Sequence, residues 1–231
     1  MNLFRIAFLT LFFCCFQISV FCHVHFISLG RDCQPASQLI HFKLRLKPYP
    51  FDWMVSGNFS GITMAIQDDL KYFLDPFFLY HGESYIGNNY YQFGYNHFFP
   101  LIGHPLTEEV CVAGTVVPNY LDFLSHVQRV QNIRKENLLF LLSTTNDQVI
   151  FIRTHAIPSE AEEFVNMIKI KYPNLNFILF IVHENENLIG DWGIPNVKNY
   201  YASQRLGIVN DWWSYNEWKL IFNHIYQLLH P

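Results

Sequence analysis

The sequence predicts an α/β fold: a mostly parallel sheet flanked by helices, with an aromatic-rich irregular insertion at about 77–114. Outside that insertion, short β-branched and apolar segments alternate with segments of helical periodicity, the pattern of strand–helix–strand units. Half of the residues are apolar, so the chain can bury a large core. A length of 231 residues is typical of one domain. We therefore predict that residues 23–231 form a single α/β domain.

Residues 1–22 are predicted to be a signal peptide or an N-terminal anchor. Arg5 is the only charged residue among them, and Ile6–Phe16 is apolar apart from Thr10. A short positive region before an apolar stretch is typical of a secretory signal. We therefore expect an exported protein, secreted or periplasmic, or one that residues 1–22 anchor in a membrane if they are not cleaved.

The first strand is predicted over His23–Leu29, because this segment is rich in β-branched and aromatic residues. A helix should follow it, since Pro35 suits a first helical turn and Leu39 and Ile40 come at helical spacing. The pattern therefore places Cys33 at a strand-to-helix turn.

Apolar spacing, capping residues and prolines predict the remaining elements. In chain order they are a helix over Gly61–Phe73, a helix capped by Asn119, a strand over Gln148–Arg153, a helix with a Ser159–Glu162 capping box that ends at Pro173, strands over Asn176–Val182 and Val197–Ala202, and a final helix with a Ser214–Glu217 capping box. The insertion has no clean period. We interpret it as loops and short strands that either carry function or are held to the core by their aromatic rings.

Reactive side chains follow three of the predicted strands. Cys33 follows the first strand, His155 the second and His183 the third. The carboxyl ends of parallel strands share one edge of a sheet, and ligands of open α/β sheets bind beyond that edge. Topology alone therefore predicts a site there.

Cys33 is the candidate nucleophile. A thiol at a helix N-terminus meets the positive end of the helix dipole, which favours the thiolate. Thiol catalysis also needs a general base, which histidine commonly supplies. Topology favours His155 and His183 for this role, whereas His97 and His104 are candidates because they lie in the insertion.

Two charged residues are further candidates, each with two interpretations. Asp52 stands between large aromatic residues and is either a buried acceptor that fixes a turn or the carboxylate that orients a catalytic group. Arg153 ends a predicted buried strand and either binds an anion or oxyanion or pairs with an internal acid.

Cleavage after residue 22 would leave Cys33 and Cys111 as the remaining cysteines. In an oxidising compartment two cysteines can form a disulfide, which would remove the nucleophile. The sequence leaves both states of Cys33 open.

Several function classes find no support in the sequence. The net charge is −4 and basic residues do not cluster, which disfavours nucleic acids and anionic membrane surfaces as partners. Dinucleotide, Walker and G-x-S-x-G motifs are absent, as are H-x-x-x-H and C-x-x-C spacings. We therefore expect neither a cofactor nor a metal, and no membrane contact beyond residues 1–22.

The motifs around Cys33 resemble those of a bacterial and viral family of unknown function that is described as papain-like cysteine peptidases. The resemblance is specific in Ile27–Ala36 and in Pro50–Trp53 (Pro-Phe-Asp-Trp), and looser in Tyr95–Phe98 and Phe151–Arg153. It covers most of residues 24–183. The papain signature itself is absent around the cysteine.

The resemblance implies a role for four residues. Cys33 would be the nucleophile and His97 the base, while Asp52 would support the site and Arg153 would be one of its polar groups. The leading hypothesis is therefore a thiol-dependent hydrolase or acyl-transfer enzyme acting on a peptide, amide or ester bond. The alternatives are a secreted α/β protein that binds carbohydrate or surface ligands, and a transferase on a doubly wound sheet.

Overall fold

A computed structural model describes residues 23–82, 84–95, 97–104, 114–203 and 215–229. The predicted signal segment 1–22, Cys111 with its proposed disulfide, and Ser214 with its predicted capping role all lie outside the described residues. None of the helices in the described part combines the length and hydropathy needed to cross a bilayer.

The described residues form eight strands and five α-helices. The strands are β1 (Val24–Ser28), β2 (Met54–Ser56), β3 (Leu79–His81), β4 (Ile86–Asn88), β5 (Phe93–Tyr95), β6 (Gln148–Thr154), β7 (Phe177–His183) and β8 (Val197–Tyr201). The helices are α1 (Gln34–His41), α2 (Ser60–Gln67), α3 (Leu124–Thr144), α4 (Pro158–Lys171) and α5 (Tyr215–Leu229). Short 3-10 helices lie at Pro76–Phe78, Tyr120–Phe123 and Glu186–Leu188.

Four strands form a parallel sheet in the order β1-β6-β7-β8. The predicted strands correspond to these four, and the α/β class is confirmed. The strands follow one another in chain order, so the described sheet has no point at which the strand order reverses. This differs from the doubly wound sheet of the transferase alternative, in which ligands bind at such a reversal.

Both faces of the parallel sheet are covered, because successive residues of a strand point to opposite sides. Ile27 and Phe151 lie in the larger core, which includes residues of α2, α4 and the second sheet. Ile150 and Phe180 lie in a second core, together with residues of α1 and α5. Burial on both sides explains why β6 and β7 are nearly continuous apolar runs.

The predicted insertion contributes most of a second, antiparallel sheet with the order β2-β5-β4-β3. β2 comes directly after the Pro-Phe-Asp-Trp segment and pairs with β5. Several of its aromatic side chains are buried in the larger core, among them Tyr91, Phe93 and Tyr95. Short strands and aromatic packing against the core were both expected of this region.

Three helix boundaries differ from the sequence prediction. The helix predicted over Gly61–Phe73 ends at Gln67, because Asp69 and Leu70 adopt φ values of 59° and 54° that leave the helical conformation. The segment capped by Asn119 begins as the 3-10 helix Tyr120–Phe123 before α3 starts.

The third difference concerns the start of α4. The predicted Ser159–Glu162 capping box is wrong, since Pro158 already occupies the first helical turn and Ser159 lies inside the helix. The N-terminus is capped by Glu160, whose Oε2 accepts a hydrogen bond from the Ile157 N–H at 3.1 Å. A proline at the first helical position therefore shifted the cap toward the N-terminus.

Candidate active site at the carboxyl edge of the sheet

The loop after β1 has an unusual backbone conformation. Gly30 and Arg31 have φ values of 73° and 77°, in the left-handed region that residues other than glycine rarely adopt. A Cβ atom on Gly30 would lie 3.4 Å from the carbonyl oxygen of Phe51 and 3.5 Å from that of Met54. The Pro-Phe-Asp-Trp turn therefore packs against this loop, and the two specific motifs of the chain are neighbours in space.

Cys33 is the residue that caps the N-terminus of α1, with φ −77° and ψ −7°. Its carbonyl oxygen accepts a hydrogen bond from the Ser37 N–H at 3.0 Å. Its side chain is half-buried and packs against the larger core. The N-terminus of a helix carries roughly half a positive charge, which favours the thiolate form of a cysteine placed there.

Asp32 is the acidic neighbour of this thiol. Its Oδ1 accepts from the Gln34 N–H at 2.8 Å, and its Oδ2 accepts from the Thr154 hydroxyl at 3.2 Å. Burial raises the pKa of Asp32, although these two hydrogen bonds and the charge of Arg31 oppose the rise. An ionised carboxylate at this position would disfavour a nearby thiolate. Sequence reasoning missed Asp32, for which the only signal was its position beside Cys33.

Hydrogen bonds from the Arg153 side chain connect three segments at this edge: the loop after β1, the end of β2 and the end of β6. Its side chain is 1% exposed, and its Nη1 donates to the Leu29 carbonyl at 3.0 Å and to Ser56 Oγ at 2.9 Å. Nη2 donates to the Ser56 carbonyl at 3.2 Å, and Nε donates to the His155 carbonyl at 3.1 Å. Burial lowers the pKa of Arg153 to about 9, so the group is charged at neutral pH. Its three nitrogens donate to the protein's own oxygens, which makes Arg153 a positioning group for the loop after β1.

Ser56, at the end of β2, also holds the loop after β1 in place through hydrogen bonds. Its Oγ accepts from the Arg31 N–H at 3.1 Å, and its own N–H donates to the Arg31 carbonyl at 3.2 Å. The Arg31 side chain pairs with Glu184 at 3.1 Å, at a partly exposed position where such a pair contributes little stability. The sequence analysis did not identify Ser56 either, because a serine in a strand of only three residues belongs to no motif and shows no periodicity.

Asp52 is buried within the Pro-Phe-Asp-Trp turn, with 1% of its surface exposed. Its Oδ2 accepts from the Tyr49 N–H at 2.9 Å and pairs with Arg45 Nη1 at 3.2 Å. Tyr49 is buried as well; burial, followed by the charge of Asp52, raises the pKa of Tyr49 to about 12. These contacts correspond to the turn-fixing interpretation of Asp52.

His97 contacts the same turn through Trp53. It is 8% exposed, and its ring meets the ring of Trp53 edge to face, with 5.9 Å between centroids. A small cavity of about 20 Å³ adjoins it and is lined by His97, Phe98, His126, Val127, Val130, Gln131 and Arg134. Trp53 thus connects His97 to the turn that packs against Gly30. His104 is exposed and forms an isolated bridge with Leu101.

His155 follows β6 and His183 is the last residue of β7, one residue later than its predicted strand end. Their ring centroids are 5.9 Å apart. His183 is fully buried, and its ring also meets that of Trp192 at 5.5 Å. Burial, and then the neighbouring His155, lower the pKa of His183 to about 4. Burial and the charges of Arg31 and Arg153 lower the pKa of His155 too, although it is partly exposed. Both imidazoles are therefore neutral at pH 7.

Metal chemistry finds no donor set in the described ranges. No group of three or more His, Cys, Asp or Glu side chains in that part of the chain could hold a metal ion. The carboxyl edge instead contains the Cys33 thiol, the Asp32 carboxyl group and the imidazoles of His155 and His183, next to a loop held by Arg153 and Ser56.

In comparisons with known proteins, one family model matches the sequence of this chain. The comparisons with curated proteins and with solved structures found no match. The family model DUF1796, described as "Putative papain-like cysteine peptidase", matches residues 24–186, from β1 through β7. The matched span contains Cys33, Asp52, His97 and Arg153. Because it covers well over half of the 231 residues, the chain belongs to this family.

Proposed function

We propose that the protein is a thiol-dependent hydrolase, a papain-like cysteine peptidase or a related acyl-transfer enzyme, with Cys33 as its nucleophile. The observation that carries the proposal is the position of Cys33, at the N-terminus of α1 in a loop that Arg153 and Ser56 hold in place. The thiolate would attack the carbonyl carbon of a peptide, amide or ester and expel the amine or alcohol. Water would then hydrolyse the thioester and restore the thiol.

We assign the general base to His97. The matched family span contains His97, His155 and His183 alike. The choice of His97 therefore rests on its contact with Trp53, which joins it to the turn that packs against the loop between β1 and α1. His183 is unsuited to the role, because it is fully buried and its charged form is strongly disfavoured. His155, which is partly exposed and neutral, is the alternative that an experiment must separate from His97.

The oxyanion of the tetrahedral intermediate needs N–H donors that are not already engaged. In the loop between β1 and α1, which we call the nucleophile loop, the Gly30 N–H donates to Ser28 Oγ at 3.4 Å. The Arg31 N–H donates to Ser56 Oγ at 3.1 Å. The Gln34 N–H donates to Asp32 Oδ1 at 2.8 Å. We therefore propose that the N–H of Asp32, which lies in the same loop, donates one hydrogen bond to the oxyanion.

The proposal is tested by labelling with a peptidyl fluoromethyl ketone, an electrophile that a catalytic thiolate attacks. We expect the wild-type protein to be labelled at Cys33 and Cys33→Ala to be unlabelled, with nearly the same melting temperature because the side chain is half-buried. Cys33→Ser is the size-matched control and should also be unlabelled. Labelling of Cys33→Ala at the wild-type rate would show that Cys33 is not the nucleophile.

A pair of histidine variants tests the base. We expect His97→Ala to slow labelling at pH 7 by at least about tenfold, since general bases contribute about 10² to 10⁴ in rate. His155→Ala should label at a rate near that of the wild type. The reverse result would transfer the role of base to His155.

The redox state of Cys33 is tested on the isolated protein before any reductant is added. The predicted export by residues 1–22 would take the chain into an oxidising compartment, where a disulfide would abolish the proposed activity. We expect peptide-resolved mass spectrometry to find the Cys33 peptide modified by a thiol reagent. A Cys33 peptide covalently joined to that of Cys111 would contradict the proposal.

A further inference from the structure

The outer face of the antiparallel sheet contains a row of residues with two glycines at its centre. The register pairs Val55 with Gly94, Gly94 with Gly87, and Gly87 with Tyr80. The neighbouring Met54 is buried toward the core, so this row lies on the opposite face. The middle of the row is therefore bare backbone, with a side chain only at each end.

Two tyrosine rings lie over these glycines. A Cβ atom on Gly87 would overlap the ring of Tyr80, and one on Gly94 would overlap the ring of Tyr85. The rings are nearly perpendicular, at 77°, with centroids 6.3 Å apart. Tyr80 is 44% exposed, so its ring rests on the sheet while part of it faces solvent. Glycine at both positions is what allows the rings to lie this close to the backbone.

A groove of about 400 Å³ runs along this face and is lined by Val55, Gly57, Tyr80, Tyr85, Asn88, Asn89, Gln92, Phe93 and Gly94. All of these lining residues are uncharged at neutral pH. The Asn88 amide is engaged within the protein, donating to the carbonyls of Tyr72 and Phe73. Asn89 and Gln92 have exposed side chains, although Gln92 Oε1 accepts a hydrogen bond from the Asn58 amide at 3.4 Å. Among the described residues, the lining of the groove thus combines aromatic rings with exposed carboxamides and includes no charged side chain.

We propose that this groove binds a neutral sugar residue of an oligosaccharide. The electron-rich face of an aromatic ring attracts the weakly positive C–H groups of a sugar, and Tyr80 and Tyr85 offer two such surfaces. A carboxamide both donates and accepts hydrogen bonds, as a sugar hydroxyl does, which suits Asn89 and Gln92. The uncharged lining favours neutral sugars over acidic or sulfated ones.

A peptide ligand fits the groove less well. Extended peptides are commonly bound by pairing with the edge strand of a sheet, and the edges of this sheet are β2 and β3. The groove instead lies across the sheet face, over the centre of the row formed by Gly87 and Gly94. The geometry therefore provides aromatic surfaces and carboxamides rather than backbone hydrogen bonds.

Calorimetric titration tests the proposal on full-length protein that carries Cys33→Ala, so that no catalysis can occur. The probes are cellohexaose, chitohexaose, maltohexaose, mannohexaose and xylohexaose, with a heparin hexasaccharide as the charged comparison. We expect at least one neutral probe to bind. Tyr80→Ala should weaken that binding by at least about tenfold, whereas Tyr80→Phe, which keeps the ring, should change it far less.

Two further variants keep the test decisive. Asn89→Ala should weaken binding without disturbing the fold, because the side chain is exposed. Tyr226→Ala removes a 65% exposed tyrosine of α5, outside the groove, and should leave binding unchanged. The proposal is overturned if no neutral hexasaccharide binds, if binding is indifferent to Tyr80 and Asn89, or if the heparin probe binds best. Since Cys33 does not line the groove, these outcomes leave the hydrolase proposal untouched.

Discussion

The carboxyl edge of the parallel sheet and the antiparallel sheet are stabilised by different interactions. At the edge, one buried guanidinium, that of Arg153, donates to backbone and hydroxyl oxygens of three separate segments. In the antiparallel sheet, aromatic rings pack on one another, such as Tyr91 on Phe93 with 5.3 Å between centroids. The edge depends on directional hydrogen bonds, whereas the second sheet depends on ring packing.

This difference shows how each region could serve a ligand. At the edge, the buried polar groups fix the backbone of the loop that contains Cys33, the proposed nucleophile. On the outer face of the second sheet, rings and carboxamides remain accessible to solvent. We therefore propose catalysis for the first region and non-covalent recognition for the second.

The largest effect is expected at Arg153. Arg153→Met should lower the free energy of unfolding by about 4 kcal/mol, because it leaves several buried oxygens without a donor, each costing about 1–3 kcal/mol. Urea unfolding measures the change. Arg129→Met, on an exposed face of α3, is the control and should change stability by less than about 0.5 kcal/mol. A loss below about 1 kcal/mol for Arg153→Met would mean that the edge does not depend on this network.

The next largest effect concerns pH. Burial lowers the pKa of His183 from 6.5 to about 4, so between these values the unfolded chain binds more protons than the folded one. Stability is therefore fully present above pH 6.5 and falls as the pH drops toward 4, by roughly 3 kcal/mol at most. Urea unfolding at pH 7 and pH 4.5 should show a smaller fall for His183→Leu than for the wild type. An equal fall in both proteins would assign the pH dependence to other groups, and His126→Leu, at an exposed position, serves as the control.

Asp52→Asn tests whether the Pro-Phe-Asp-Trp turn is structural or catalytic. It removes a buried ion pair with Arg45 but can retain the hydrogen bond from the Tyr49 N–H. We expect stability to fall by about 2 kcal/mol while the labelling rate of Cys33 stays within about twofold. A large loss of labelling with unchanged stability would instead identify Asp52 as an orienting carboxylate.

The smallest effect is expected in the antiparallel sheet. Gly94→Ala should cost about 1–2 kcal/mol, because the added methyl group displaces the ring of Tyr85. Gly57→Ala is a matched control, since a Cβ atom at that position meets nothing within 4 Å. Equal melting temperatures for the two variants would show that the ring does not rest on Gly94.

Regular, doubly buried elements could be predicted from the sequence, and irregular ones could not. The strands β6 and β7 are apolar runs between turn residues, and Pro35 marked the first turn of α1. The early end of α2 could not be predicted, because it coincides with contacts distant in sequence. The Tyr91 hydroxyl donates to Asp68 at 2.6 Å, and Lys171 pairs with Asp69 at 2.6 Å.

The site shows the same division. The predicted topology placed Cys33, His155 and His183 at one edge. Asp52 and His97 were candidates from their sequence context, and the resemblance gave each of them a role. The partners of Arg153 could not be predicted, since Leu29 and Ser56 are distant in sequence and reach it only through folding. The protonation of His183 likewise depends on burial that its sequence context does not reveal.

The central claim, that the position of Cys33 at the start of α1 activates its thiol, is tested by one rate comparison. Iodoacetamide alkylation of Cys33 is followed at pH 7 by peptide-resolved mass spectrometry, in the folded protein and in the same protein unfolded in urea. The account predicts faster alkylation in the folded protein despite the half-buried side chain, because only folding supplies the helix N-terminus beside the thiol and, on our proposal, the base His97. Slower alkylation in the folded protein would contradict it.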